Sequence, residues 1–250
     1  MSRNLMQILQ RVLNRDYNNN ISYIFEDIRR SIHNCNYNLN DIKELISLIA
    51  DPQQFNIGTI KDMKSNKIGL FLTCLTQFLR ITINEKKHFD ISNLSPLNYI
   101  GYQLDGRLLS IKGSLGDYVG SYMISGGLEI NGNVGKNVGL SMSNGTILIY
   151  GNAGEDVGND MKGGIIYAEE ITNLSENFIS GLIIQNKKII KGKEYLTQKV
   201  PFNSISLQLM RRTDDIFKWA EEIFYIPGHT EIVSRKMISF YKTQIQDVNK

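Results

Sequence analysis

A chain of 250 residues with 42% hydrophobic and 21% charged side chains is long enough for one large or two modest cores and too apolar for global disorder. Its formal net charge of only +3 makes no case by itself for a polyanionic partner. Two cysteines without CxxC spacing, Cys35 and Cys74, argue against a disulfide framework and a zinc site.

Residues 1–95 read as helical. Leu5, Ile8, Leu9, Val12 and Leu13 fall on one helical face, Ile21, Ile24, Phe25, Ile28 and Ile32 on a second, and Ile42, Leu45, Ile46 and Ile49 on a third. Asn20 and Asn40 are read as N-caps, and Asp51-Pro52 ends the third helix because proline cannot continue it. Two further segments, 57–64 and 67–83, complete a cap or small bundle, the second carrying an apolar stripe of Ile68, Phe71, Leu75, Phe78 and Leu79. The longest apolar stretch, 68–79, is interrupted by Thr and Gln and is shorter than the roughly 20 residues a bilayer needs. With no basic-then-apolar leader read at the start, a cytoplasmic protein is expected.

The middle of the chain repeats one phrase: GSLGDYVG from Gly113, GNVGKNVG from Gly132 and GNAGEDVG from Gly151, a step of 19 residues (132 − 113 and 151 − 132). Four glycine columns keep that step: Gly113, Gly132, Gly151; Gly116, Gly135, Gly154; Gly120, Gly139, Gly158; and Gly126, Gly145, Gly164. So do the apolar pairs Leu109/Ile111, Leu128/Ile130, Ile147/Ile149 and Ile166/Ala168. A fixed period near 20 residues predicts a solenoid, in which no coil buries its own face without a neighbour. Leu128 and Ile130 should point inward and Glu129 outward, because successive strand residues alternate. Val119, Val138, Val157 and Leu115, Val134, Ala153 should stack as inner ladders. Glycine is expected at the corners, where φ must be positive, and in columns where coils approach closely. Parallel crossovers are overwhelmingly right-handed, so a right-handed winding is expected.

The pattern decays at both ends. Gly101 keeps the Gly120 column one coil early, but Leu94 and Leu97 stand where the other two glycines should be. Past Glu170, Asn173 and Asn177 take the glycine positions, and left-handed backbone at these asparagines would allow a degenerate fifth coil. Residues 181–209 read as irregular strands with alternating Ile205, Leu207 and Leu209. Thr213 caps a helix over 214–225, and Thr230 caps a last one bearing Val233, Met237, Phe240, Tyr241 and Ile245. The predicted fold is thus mainly β with α. A right-handed parallel β-helix of 19-residue coils (96–209, with the irregular trailing strands) lies between a helical N-terminal cap or small bundle (1–95) and C-terminal helices (210–250). Both helical parts are expected to cover the open strand edges.

These repeats resemble the GXGXG family, to which the C-terminal domain of the glutamate synthase large subunit and a formylmethanofuran dehydrogenase subunit belong. The copy GNAGEDVGNDMKGGIIYAEE, residues 151–170, carries the shared G-x-x-G-x-x-x-G phrase, the Lys-Gly-Gly and the apolar strand, and the resemblance spans about 99–185. It implies a β-helix without a catalytic centre of its own, which holds catalytic domains or subunits in place. Two unclustered cysteines leave no counterpart to the family's iron–sulfur chemistry.

The remaining constellations have structural readings. Glycine loops that cradle phosphate lead into a helix N-terminus, whereas strands follow these. Asp117, Asn137 and Asp156 form an exposed polar column and not a calcium ladder. His33, His88 and His229 lack a GxSxG partner, and His229 sits at a helix start. Glu169-Glu170 and Glu221-Glu222 are adjacent pairs whose side chains diverge, which is unsuited to acid/base dyads.

Charge is uneven. Residues 96–185 carry 4 basic and 9 acidic side chains, and residues 186–250 carry 12 and 7. Lys187, Lys188, Lys191, Lys193, Arg211 and Arg212 suit a solvated surface or an acidic protein partner better than a nucleic acid. No catalytic, cofactor or metal residue is therefore assigned. The expected function is a scaffold that positions partner subunits, with a homo-oligomer left open. Competing expectations are an accessory subunit that adds residues to a shared site of a glutamate synthase-like or formylmethanofuran dehydrogenase-like oxidoreductase, and nucleic-acid binding through the basic C-terminal part.

Overall fold

The computed structural model describes residues 2–51, 62–79, 87–186 and 188–192. The trailing strands expected over 193–209 and the helices expected over 210–250 lie outside the described residues, as do 57–61 and 80–83 of the expected helical segments.

Four helices open the chain: α1 (Ser2–Asn14), α2 (Ile21–Ile32), α3 (Leu39–Ala50) and α4 (Asp62–Phe78). Their buried residues recur at helical spacing: Leu5, Leu9 and Val12; Ile24, Ile28 and Ile32; Ile42, Leu45 and Ile49. Asn20 caps α2, its side chain accepting from the Tyr23 N–H at 2.9 Å. The cap expected at Asn40 is instead Asn38. The Asn38 side chain accepts from the Asn40 and Asp41 N–H groups, and the Asp41 carboxylate accepts from the Asn38 N–H at 2.9 Å. A reciprocal capping box satisfies donors at both of its ends, which favours the earlier start. The C-terminal end at Asp51 falls as read.

The expected break between 57–64 and 67–83 does not exist, because α4 runs unbroken through Ser65 and Asn66. These polar residues face protein rather than a loop. Ser65 Oγ donates to the Pro96 carbonyl at 2.9 Å and accepts from the Asn98 N–H at 3.0 Å, and the Asn66 amide oxygen accepts from Asn98 Nδ2 at 2.8 Å.

Six parallel strands follow in a single sheet ordered as in the chain: β1 (Lys87–Asp90), β2 (Leu108–Lys112), β3 (Gly127–Asn131), β4 (Thr146–Ala153), β5 (Ile165–Ile171) and β6 (Leu182–Gln185). A seventh, β7 (Lys188–Lys191), folds back antiparallel on β6. Leu109 pairs with Leu128, Leu128 with Ile147 and Ile147 with Ile166, so three consecutive steps keep the period of 19. Ile166 pairs with Ile183, which shortens the last coil to 17. The result is a parallel β-solenoid of about five turns. Its interior holds the expected valine ladder, the Leu115, Val134, Ala153 ladder and a methionine column, Met123, Met142 and Met161, all three fully buried.

The helices and the coil share one core. Ile42 and Ile46 of α3 and Leu72 of α4 meet Phe89, Ile100, Leu109 and Ile111 across a seam whose void is about 10 Å³, no more than the room of a single water molecule. Polar contacts flank it. Thr73 Oγ1 accepts from the Gly101 N–H at 2.9 Å, Gln77 Nε2 donates to the Asp105 carbonyl at 3.1 Å, and Arg107 Nε donates to the Gln77 carbonyl at 3.2 Å.

One expectation about side-chain direction fails. Glu129 does alternate with Leu128 and Ile130, yet it is only 5% exposed. The outer face of the sheet is enclosed as well, with Ser110, Thr146, Leu148, Ile165, Leu182 and Ile184 all buried. Strands covered on both faces read as continuous apolar runs, and TILIY from Thr146, GIIYA from Gly164 and GLII from Gly181 are such runs.

Candidate functional site

The repeat is the most distinctive part of the chain, and its geometry accounts for its residues one column at a time. Each coil turns a corner on alternating left-handed residues. Tyr99, Tyr118, Asn137 and Asp156 have φ of 60°, 63°, 58° and 56°, and Gln103, Tyr122, Ser141 and Asp160 have φ of 51°, 56°, 53° and 51°. Between those two columns stand Gly101, Gly120, Gly139 and Gly158, also at positive φ. Only the middle of the three columns is glycine. The flanking ones are borne by residues that carry a conformational penalty in this region, least for Asn and Asp.

The glycine columns therefore divide. Gly113, Gly120, Gly126, Gly139, Gly145, Gly158 and Gly164 adopt positive φ as expected. Gly116, Gly132, Gly135, Gly151 and Gly154 do not, and serve close approach alone. A Cβ on Gly135 would lie 2.8 Å from the carbonyl carbon of Gly116 in the coil before it, and one on Gly154 would lie 2.9 Å from that of Gly135. Asn173 and Asn177, expected to be left-handed, are not. The Asn173 side chain instead accepts from the Asp156 N–H at 2.7 Å, which lets the fifth coil close with two fewer residues.

Polar side chains of the repeat hydrogen-bond to the backbone of the next coil. Asn98 Oδ1 accepts from the Asp117 N–H at 2.8 Å, and Asp117 Oδ1 accepts from the Lys136 N–H at 3.0 Å. Ser114 Oγ accepts from the Asn133 N–H at 3.2 Å, and Asn133 Oδ1 accepts from the Asn152 N–H at 2.9 Å. Asp117 is thus a rung-to-rung acceptor rather than a solvated charge, and backbone donors at the bends are satisfied by it and its equivalents.

Sequence reading missed an aromatic cluster where α2 and the first coils meet. Tyr99 and Tyr118 stack with ring centroids 4.7 Å apart and planes 8° from parallel, and Tyr102 stands edge-on to Tyr99, Tyr122 and Phe25. Tyr102 Oη shares a hydrogen bond of 3.0 Å with Ser22 Oγ. Burial, with the neighbouring phenols, pushes the Tyr99 hydroxyl up to about 12. The signal was present in the sequence, because Tyr99 and Tyr118 also stand 19 apart.

The other candidates are scattered. His33 lines a cavity of about 830 Å³ at the end of α2, with Arg29, Arg30, Cys35, Tyr37 and Phe78. Arg29 is held there by Glu26 at 2.7 Å, and both arginines lie in the last turn of α2, where cations suit the helix dipole. His88 Nδ1 is 3.0 Å from Ser110 Oγ, far along the chain from His33, and His229 lies outside the described residues. Burial pushes the Cys74 thiol well up, which suits a packed thiol and not a nucleophile.

Glu169 accepts from Tyr167 Oη at 3.0 Å while Glu170 is exposed, so this pair diverges; Glu221-Glu222 is outside the described residues. Of the basic group, Lys191 Nζ lies 5.6 Å from the Phe178 ring centre, and Lys187, Lys193, Arg211 and Arg212 fall outside. Among the described residues, no three His, Cys, Asp or Glu side chains are grouped to hold a metal ion, and no helix is long and apolar enough to cross a membrane.

The molecule is a parallel β-solenoid with a helical cluster packed on its first coils. The chain matches no family model, no curated protein and no solved structure.

Proposed function

We propose that the chain is a non-catalytic scaffold subunit of the GXGXG kind, a cytoplasmic β-helix wound right-handed whose surfaces position partner subunits. One observation carries this reading. The conspicuous groups of the repeat are consumed inside the coil stack, the glycines by coil-to-coil approach and the Asn, Asp and Ser side chains by backbone donors of the next coil. Residues so engaged give rigidity and leave no preorganised set to act on a substrate. A solenoid joined by one shared core to a helical cluster is a stiff body with fixed spacing between its ends.

The competing reading, an accessory subunit with a shared oxidoreductase site, calls for a deep polar cleft between the β-helix and a helical end. The seam at the N-terminal helices is apolar with a void of about 10 Å³ and lends that reading no support, and the C-terminal end lies outside the described residues. Nucleic-acid binding rests mostly on residues beyond those described, since of its basic group only Lys188 and Lys191 lie in β7.

Gentle affinity purification at native abundance tests the proposal. Stoichiometric partner proteins that survive to the final column are expected. A lone monomer, free of partners in cross-linked and uncross-linked preparations alike, overturns it.

A further inference from the structure

A cavity of about 830 Å³ opens where α2 ends and the chain turns toward α3. That volume is in the range of pockets that hold small organic ligands. The described residues that line it come from the helical cluster and none from the coil stack.

Its lining is of two kinds. One part is cationic. Arg29 and Arg30 stand in the last turn of α2, and His33 follows with helical backbone, φ −53° and ψ −39°. His33 therefore lies one helical turn beyond both arginines, on the same side of the helix. Arg29 is oriented by Glu26, to which its Nε and one terminal nitrogen donate at 3.1 and 2.7 Å. Among the described residues, the side chains of Arg30 and His33 have no hydrogen-bond or ion-pair partner. One guanidinium is thus left uncompensated beside an imidazole. The other part is aromatic, from Tyr37 and Phe78. Phe78 is 41% exposed, while Leu79 next to it is fully buried. An apolar ring kept open on a cavity wall gains free energy when a ligand covers it.

The linker from α2 to α3 that forms much of this lining is tied down along its length. The Cys35 N–H donates to the Ile32 carbonyl at 2.9 Å, Tyr37 Oη donates to the Leu75 carbonyl of α4 at 3.1 Å, and Asn38 caps α3. The lining is therefore ordered before any ligand arrives, which lowers the entropy lost on binding. The helix dipole accounts for cations at the end of α2. It does not account for an open aromatic ring on the same cavity.

We propose that this cavity binds a small organic anion, with a flat apolar body against Tyr37 and Phe78 and a phosphate or carboxylate head on Arg29, Arg30 and His33. A guanidinium fork suits either head, because it donates two parallel hydrogen bonds to paired oxygens. The inference is independent of the scaffold reading. It places a ligand on the helical cluster and assigns no chemistry to it.

Calorimetric titration of the full chain tests this with four probes: naphthyl phosphate, naphthoate, inorganic phosphate as a head without a body, and naphthol as a body without a charge. At least one of the two naphthyl anions is expected to bind about tenfold or more tightly than inorganic phosphate and naphthol, and the tighter of the two identifies the head. Arg30→Gln is expected to weaken that binding about tenfold and Phe78→Ala about threefold or more. Both side chains are exposed, and unfolding midpoints check that the variants stay folded. Location is read from Cys35, which lines the cavity and is half-buried, whereas Cys74 is buried. Iodoacetamide should label Cys35 first, and a saturating naphthyl anion should slow that labelling about tenfold. Four results each overturn the proposal: no binding of either anion at millimolar concentration, equal binding of inorganic phosphate or naphthol, unchanged affinity in either variant, and Cys35 labelling that bound anion does not slow.

Discussion

Gly69→Ala tests the junction between helices and solenoid, because two effects of opposite sign meet there. Gly69 sits inside α4, where alanine normally stabilises a helix by about 1 kcal/mol. At this position a Cβ would lie 3.0 Å from the carbonyl carbon of Asn98 and closer still to its oxygen. Asn98 has little freedom to move aside. Its N–H is bonded to Ser65, its Nδ2 to Asn66 and its Oδ1 to the Asp117 N–H. Overpacking against such a backbone costs about 1–3 kcal/mol, and one displaced hydrogen bond adds about 1 kcal/mol. Set against the propensity gain of about 1 kcal/mol, the net loss is about 2 kcal/mol. For a chain of this size that lowers the melting midpoint by about 4–8 °C. Urea and thermal unfolding of Gly69→Ala beside the unaltered protein measure it. A midpoint that is unchanged or higher would mean α4 does not rest on Asn98, and the seam described above would be refuted.

Other perturbations probe the stack and the cap separately. Gly135→Val places a branched side chain against the Gly116 carbonyl of the preceding coil and should destabilise by about 3 kcal/mol, the upper range of overpacking; equilibrium unfolding within about 1 kcal/mol of wild type would contradict the stacking role. Lys67 is buried, and its ammonium donates to the Leu13 and Arg15 carbonyls at 3.0 and 2.7 Å. Lys67→Met leaves the end of α1 without these donors, so a loss of about 1–3 kcal/mol and faster amide exchange in α1 are expected. Unaltered exchange would count against that cap. Tyr99, Tyr150 and Tyr167 are each raised to about 12, with burial the largest cause. The fold therefore favours their protonated form, and the associated stability is complete below about pH 10, where an unfolded tyrosine ionises. It declines as pH rises from there through about 12. Phenolate absorbance and the urea midpoint, followed together against pH, check this, and a midpoint that holds steady while these phenols ionise would refute it.

The register of the solenoid is legible in the amino-acid sequence without any coordinates. Every coil stacks on a copy of itself, so one spatial relation recurs at each rung and writes a period into the chain: Leu109, Leu128, Ile147 and Ile166 are 19 apart because they touch in series. The helical faces of α1–α3 were legible for a similar reason, since 3.6-residue periodicity is local. Contacts that occur once are visible in the folded chain and nowhere else. Ser65 and Asn66 read as a break until Asn98 and Pro96 supply partners 31 to 33 residues away. Glu129 reads as a solvent-facing charge until the outer face of the sheet closes over it. Glycine in the repeat is equally visible at Gly135 and Gly139, but which one serves close approach and which serves a left-handed bend depends on where the neighbouring coil passes. A repeated contact leaves its spacing in the sequence, whereas a single long-range contact leaves only residues whose local preference it overrules.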